Sequence, residues 1–129
     1  MKYYIFFAIL IAKNALSQDV TPTMLVCNGK YSNYKLNVRD VDFKGAVIKV
    51  FKSHVYINGF PMSFHSEQRY TITNISSNSI RFTHDENSKF NGNLNRFTGE
   101  INLNEFQENS DTKVDQIIFG SCGFKERIF

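Results

Sequence analysis

Residues 91–106 read NGNLNRFTGEINLNEF, and this stretch decides the fold class of the chain. Leu94 leads into a turn at Thr98-Gly99. Ile101 and Leu103 lead out of it with the alternating spacing of a half-buried strand. A glycine at that point can take the left-handed conformation that a bulged hairpin turn requires. The stretch therefore predicts a β-hairpin.

The chain on either side of this hairpin has the same character. Short runs of β-branched and aromatic residues alternate between clusters of Gly, Asn, Asp and Ser, and helical periodicity is weak. We count about eight short strands within residues 24–122, which predicts an all-β domain. A change of phase at Arg39-Asp40 predicts a β-bulge. Lys44-Gly45 and Asn58-Gly59 are expected turns, and Pro61 places residues 60–64 at a sheet edge or in a loop.

The first 17 residues have the three parts of a signal peptide. Lys2 supplies the positive charge, Tyr3 to Ala12 form an apolar run, and Ala15-Leu16-Ser17 offers small residues for cleavage. The run is shorter than the roughly 20 residues that span a bilayer as a helix. The alternative, an uncleaved anchor, is disfavoured by Lys13 and Asn14, which end the run early. We expect a leader at 1–17, a single domain at 18–129 that does not span a membrane, and a periplasmic or secreted location.

Two cysteines in an exported chain most simply form one disulfide, here between Cys27 and Cys122. Free or intermolecular thiols are the alternative. No CxxC motif is present, which argues against thiol catalysis. A bond between the first and last strands favours a closed antiparallel barrel, because it fastens the two edges of the sheet, and a two-sheet sandwich remains open.

The charge of the chain argues against a nucleic-acid partner. The sequence has 15 Lys and Arg against 12 Asp and Glu, a net charge of +3. Because Lys2 and Lys13 leave with the leader, the remaining domain has 13 against 12, or +1. It also lacks a basic run of five or more residues, the pattern typical of a nucleic-acid footprint.

Few residues in the chain indicate metal or catalytic chemistry. His54, His65 and His84 form no HxH or HxxxH pair, so we expect neither a metal site nor a cofactor. The cluster His84-Asp85-Glu86 could bind a cation, or it could be a strand that ends in a solvated loop. No GxSxG motif is present, and Cys122 of Gly120-Ser121-Cys122-Gly123 is explained by the disulfide.

The strand carboxylates and one arginine complete the candidate residues. Glu100, Glu105 and Asp115 could in principle converge as in a glycosidase, but strand carboxylates in a small β-domain usually form its wet face. We therefore predict no catalytic residue and no enzyme. Arg96, beside the hairpin turn, could bond carbonyls or stack on Phe97 or Phe106, or it could present its fork to a carboxylate or phosphate.

Three patches of the sequence carry a resemblance that spans the domain. They are Leu25-Val26-Cys27-Asn28-Gly29, Leu94 to Gly99, and Gly120-Ser121-Cys122 followed by Lys125, Arg127 and Phe129. The chain resembles small exported proteins of Gram-negative bacteria with a leader, an LxCxG start, an RxTG hairpin and a basic-Phe ending after the last cysteine. The resemblance implies a periplasmic or secreted β-domain and transfers no catalytic residue.

A second likeness is to periplasmic lysozyme inhibitors, which are small disulfide-tied β-barrels, although their SGxxY-type inhibitory loop is not evident here. We hypothesise a non-enzymatic binding module of the cell envelope whose partner is a protein or a small apolar ligand. As an inhibitor of a wall-degrading enzyme, it would insert residues 85–89 or 107–112 into a cleft. As a ligand carrier, it would enclose an apolar cavity lined by strand aromatics. The sequon Asn74-Ile75-Ser76 matters only in a eukaryotic secretory path.

Overall fold

The fold is a closed eight-stranded antiparallel barrel, given by a computed structural model that describes residues 23–110 and 112–124. Each strand pairs with its neighbours in sequence, and β8 pairs with β1 to close the sheet. This confirms the all-β prediction and decides for the barrel over the sandwich. The strands are β1 Thr23–Asn33, β2 Val38–Val50, β3 His54–Asn58, β4 Gln68–Ile75, β5 Ser79–His84, β6 Phe90–Asn95, β7 Glu100–Phe106 and β8 Val114–Phe124.

A disulfide fastens the seam where the barrel closes. Cys27 on β1 lies directly opposite Cys122 on β8, and their sulfurs are bonded, as predicted. Such a bond is typical of proteins that work outside the reducing cytosol. Gly29 and Gly120 also face each other across the seam, where the backbones come so close that a Cβ on Gly29 would lie 2.1 Å from the Phe119 carbonyl oxygen. The expected leader at 1–17 and the basic-Phe ending lie outside the described residues.

Strand β2 is one long strand, which corrects part of the sequence prediction. The expected bulge at Arg39-Asp40 is confirmed, because the pairing with β1 skips there. The expected turn at Lys44-Gly45 is wrong. Gly45 takes a positive φ of 78°, but its N–H donates to Asn28 Oδ1 at 2.9 Å, and the strand continues through a second bulge. Bulges bend a strand, as closure into a barrel requires.

The up-and-down order sorts the connections to two ends of the barrel. We call one end the mouth; it carries the short turns at 51–53, 76–78 and 96–99. We call the other the plugged end; it carries the loops 34–37, 59–67, 85–89 and 107–113. Loop 59–67 contains the 3-10 helix Met62–Phe64, which agrees with the loop expected from Pro61. No helix among the described residues has the length and apolarity to cross a bilayer.

Alternate residues of each strand fill the interior of the barrel. The cluster includes Ile48, Val55, Ile57, Phe82, Leu103 and Ile118, each at most 1% exposed. Gly92 leaves room for a large neighbour, since a Cβ there would lie 2.3 Å from the Phe82 ring. Two side chains of loop 59–67, Phe60 and Phe64, fold inward and are fully buried. They close the plugged end.

Candidate functional site

The barrel opens at its mouth into a cavity of about 640 Å³. Its walls are inward-facing aliphatic side chains from strands on opposite sides of the barrel. Small-molecule sites in proteins usually measure about 300–1,000 Å³ and are mostly apolar with a few polar groups. The lining residues within the barrel wall include Leu25, Val50, Ile80, Leu94 and Cys122.

The cavity lies at the mouth because the two ends hold side chains of different size. Aromatic rings pack face to edge at the plugged end, with Phe64 and Phe90 5.3 Å apart and Tyr70 and Phe82 also 5.3 Å apart. At the mouth the inner wall is formed mainly by the smaller aliphatic side chains Leu25, Val50, Ile80 and Leu94. The sequence analysis expected strand aromatics to line any cavity. Aliphatic residues form most of the walls, and of the lining phenylalanines Phe51, Phe97 and Phe124 only Phe124 belongs to a strand.

The β6–β7 hairpin builds one side of the mouth, and its turn is fixed by local hydrogen bonds. Asn95 Oδ1 accepts from the N–H groups of Phe97 and Thr98, both at 2.9 Å. Gly99 has a φ of 79°, and a Cβ on it would lie 2.2 Å from the Cys122 carbonyl oxygen. Its own carbonyl accepts from Cys122 N–H at 2.7 Å. Gly99 is therefore required by conformation and by space, and the turn exposes 76% of Phe97.

Arg96 bonds a carbonyl, which is one of the roles that its position allowed. Its Nη1 donates to the Ser76 carbonyl oxygen at 2.7 Å, which ties two turns of the mouth together. Arg96 also lines the cavity, and its guanidinium has further N–H donors beyond the one that Ser76 uses. Stacking on Phe106 does not occur, because Phe106 ends β7 at the plugged end.

The cavity lining carries positive charge only. Lys52 joins Arg96 at the rim, and none of the described lining residues is acidic. An arginine fork binds carboxylates and phosphates in a bidentate manner, and a lysine adds a point charge. The mouth therefore combines apolar walls with a cationic rim.

The structure separates the members of the cluster His84-Asp85-Glu86. His84 points into the plugged end, with its ring 5.2 Å from that of Tyr70 and 5.9 Å from that of Phe90. Its Nδ1 accepts from Glu86 N–H at 3.0 Å. Asp85 faces outward and accepts from Arg69 Nε at 2.5 Å and from Thr71 Oγ1 at 2.6 Å. Glu86 is exposed.

These contacts give Asp85 a structural role. The hydrogen bond from Thr71 and the ion pair with Arg69 hold the pKa of the Asp85 carboxyl below its ordinary value. Searching the described residues reveals no group of three or more His, Cys, Asp or Glu arranged to hold a metal ion. The three neighbouring residues thus do not meet at one ligand.

The three strand carboxylates do not form one site, because two of them contact other side chains and the third lies on the outer face. Glu105 accepts from Gln116 Nε2 inside the plugged end, within a network that includes Tyr31 and Ser63. Asp115 is 8% exposed and lies 3.5 Å from Lys35 Nζ. Glu100 lies on the outer face. These contacts favour structural roles for Glu105 and Asp115.

Sequence reasoning found Arg96 but missed most of the cavity. Lys52 follows the end of β2 and is not part of any sequence motif that would have drawn attention to it. Leu25, Val50 and Ile80 look like ordinary strand residues, and only the register of three different strands brings them to one end. Comparison with protein-family models, with curated proteins and with solved structures finds no match to this chain.

Proposed function

We propose that the barrel is a non-enzymatic binding module that takes a small amphipathic molecule, with its apolar part in the mouth and an anionic group at the rim. The observation that carries this proposal is the cavity of about 640 Å³ with aliphatic walls and the cations Arg96 and Lys52. Apolar burial supplies affinity of about 25 cal/mol per Å² removed from water. The cationic rim adds selection for charge through charge-assisted hydrogen bonds.

The proposed location is the periplasm or the extracellular space. The disulfide and the resemblance to small exported proteins of Gram-negative bacteria support it. In the envelope of such bacteria, the ligand class that fits the mouth is an amphiphile with one alkyl chain and a carboxylate or phosphate head group.

The test measures the affinity of the domain, residues 18–129, for three probes with the same alkyl chain: dodecanoate, dodecanol and dodecyltrimethylammonium. We expect the order dodecanoate, dodecanol, dodecyltrimethylammonium from tightest to weakest. Lys52→Gln and Arg96→Gln should each weaken dodecanoate about tenfold, the loss of one charge-assisted hydrogen bond. Neither substitution should change the affinity for dodecanol.

Two further variants complete that test. Val50→Phe fills the cavity and should weaken all three probes. Lys113→Gln removes an exposed cation at the plugged end and serves as the matched control, with no effect on any probe. Equal affinity for all three head groups, or equal losses in Lys113→Gln and Lys52→Gln, would overturn the charge assignment. Absence of binding by dodecanoate would overturn the proposal itself.

A second candidate function is inhibition of a wall-degrading enzyme through the loops of the plugged end. Loops 85–89 and 107–113 lie side by side there, joined by an ion pair between Lys89 and Glu108 and by a Phe106 N–H to Lys89 carbonyl bond of 2.9 Å. A loop pair held in this way loses little entropy on entering a cleft. Inhibition of lysozymes that is abolished by Lys89→Ala would favour this function, and its absence across lysozyme types would remove it.

A further inference from the structure

A second hollow lies on the outer face of the barrel and is chemically different from the mouth. It measures about 310 Å³ and crosses β6, β7 and β8. Its side chains come from a transverse row in which Asn93 lies opposite Asn102, and Asn102 lies opposite Phe119. A second row adds Glu100 opposite Ser121. Adjacent strands are about 4.8 Å apart, so the first row spans about 10 Å.

Asn93 lines this hollow, and its side-chain oxygen is a buried acceptor without a partner in the described part of the chain. Asn93 Oδ1 is buried from solvent and has no hydrogen-bond partner among the described residues. A buried polar atom without a partner costs about 1–3 kcal/mol, and native proteins rarely leave one unsatisfied. A rotation of the Asn93 amide that turns Oδ1 to the hollow would let a ligand hydroxyl donate to it and would remove this cost.

The other asparagine side chains of the hollow already make hydrogen bonds, and in each case the amide oxygen is the atom that accepts. Asn102 Oδ1 accepts from Asn104 Nδ2 at 2.6 Å, which orients the Asn102 amide and leaves its Nδ2 donors for other acceptors. Asn95 Oδ1 is used by the hairpin turn. The hollow thus presents amide donors beside an amide acceptor, with the Ser121 hydroxyl and the Glu100 carboxylate at its edge.

Phe119 adds an apolar surface to this polar set. Its side chain is 57% exposed, although it is a large aromatic residue on the outer face of a strand. An exposed ring beside neutral donors and acceptors matches a molecule with one C–H face and a rim of hydroxyl groups. A fatty chain would leave the amides unpaired, and an anion would meet the Glu100 carboxylate.

We propose that this outer hollow, lined by Asn93, Asn102, Phe119, Glu100 and Ser121, is a binding site for one ring of a neutral saccharide. The sugar ring stacks on Phe119, and its hydroxyls pair with the amides and with Asn93 Oδ1. The hollow lies at the low end of the size range for ligand pockets, as suits a single ring within a longer glycan. This site is independent of the mouth, because its ligand is neutral and its side chains point away from the barrel interior.

The test is an NMR titration of the ¹⁵N-labelled domain with three neutral trisaccharides: maltotriose, mannotriose and N,N′,N″-triacetylchitotriose. At about 10 mM, a concentration that detects millimolar affinity, we expect at least one sugar to shift the side-chain amide signals of Asn93 and Asn102. The shifts should be the same at low and high salt, because the ligand carries no charge. Absence of shifts for all three sugars, or shifts confined to the mouth, would overturn the proposal.

Matched variants locate the site. Phe119→Ala and Asn102→Ala should each weaken the sugar at least tenfold. Phe97→Ala, which removes an even more exposed ring at the mouth, should leave sugar affinity unchanged. Dodecanoate affinity should be unchanged in Phe119→Ala, so failure here is distinguishable from failure at the mouth. Asn95 lines both hollows and is left unchanged. Sugar affinity unaltered by both Phe119→Ala and Asn102→Ala would refute the assignment.

Discussion

The two ends of this barrel are made by the same eight strands, yet in the part of the chain that the structure describes one end is filled and the other is open. At the plugged end, Phe60 and Phe64 fold in from loop 59–67 and meet Phe43 and Phe90 from the strands. At the mouth, Leu94 and Val50 face a cavity. The difference arises from two sources, the size of the inward residues and the length of the connections.

This comparison teaches that the turns of a small barrel decide which end can bind. The short turns 51–53, 76–78 and 96–99 cannot reach back over the mouth, whereas the longer loop 59–67 supplies two buried rings. Burying a phenylalanine contributes about 1.5–3 kcal/mol, so the plugged end carries much of the stability. Because the mouth is not needed to the same extent for stability, its rim can carry cations.

The largest effect we predict comes from the disulfide, which fastens the seam close to the mouth. The double variant C27S/C122S should lose about 4–5 kcal/mol in the free energy of unfolding, since the bond closes a loop of 95 residues. Urea denaturation measures this loss. Hydrogen exchange should also rise more at Leu25 than at Tyr31, which lies towards the plugged end. An unchanged urea midpoint would contradict the role given to the bond, and uniform exchange would contradict the difference between the ends.

The next effect comes from emptying the plugged end. Phe64→Ala should cost about 3–5 kcal/mol, because a fully buried ring is removed and a cavity is left. The control Phe97→Ala deletes the same ring at the mouth, where it is 76% exposed, and should cost less than about 0.5 kcal/mol. Both values come from urea denaturation at neutral pH. Similar costs for the two variants would break the comparison between the ends.

Local patterns in the sequence predicted much of the fold. The hairpin at Thr98-Gly99, the bulge at Arg39-Asp40 and the closure by Cys27 and Cys122 each follow from a short motif or from a pair of residues. Gly45 misled the prediction, because a glycine with positive φ serves a bulge as well as a turn.

The site itself was less accessible to sequence reasoning. Arg96 stood out beside the hairpin turn, but Lys52 and Val50 reach the mouth only through the register of the strands. The inward fold of Phe64 also depends on tertiary packing, because its local sequence indicates only a loop. Which end is open therefore follows from the structure alone.

The smallest effect we predict is a loss of stability at alkaline pH that arises from a tyrosine at the plugged end. Tyr70 is fully buried there, and burial raises the pKa of its phenol well above the ordinary value. The neutral phenol contributes fully below the unfolded pKa of about 10, and the contribution falls by about 1.4 kcal/mol per pH unit above it, because the unfolded chain ionises first. Wild-type stability should therefore decline from about pH 10 upwards.

Tyr70→Phe separates this effect from packing. At pH 7 the variant should be less stable by about 1 kcal/mol, since it loses the hydrogen bond that Tyr70 donates to Gln68 Oε1 at 3.0 Å. Above pH 10 the gap should close and then reverse, because the variant has no phenol to ionise at this position. Urea midpoints measured between pH 7 and 11 test both signs. A gap that stays constant across this range would show that the phenol at position 70 does not titrate on unfolding, and the plugged end would then not be the dry interior that its rings indicate.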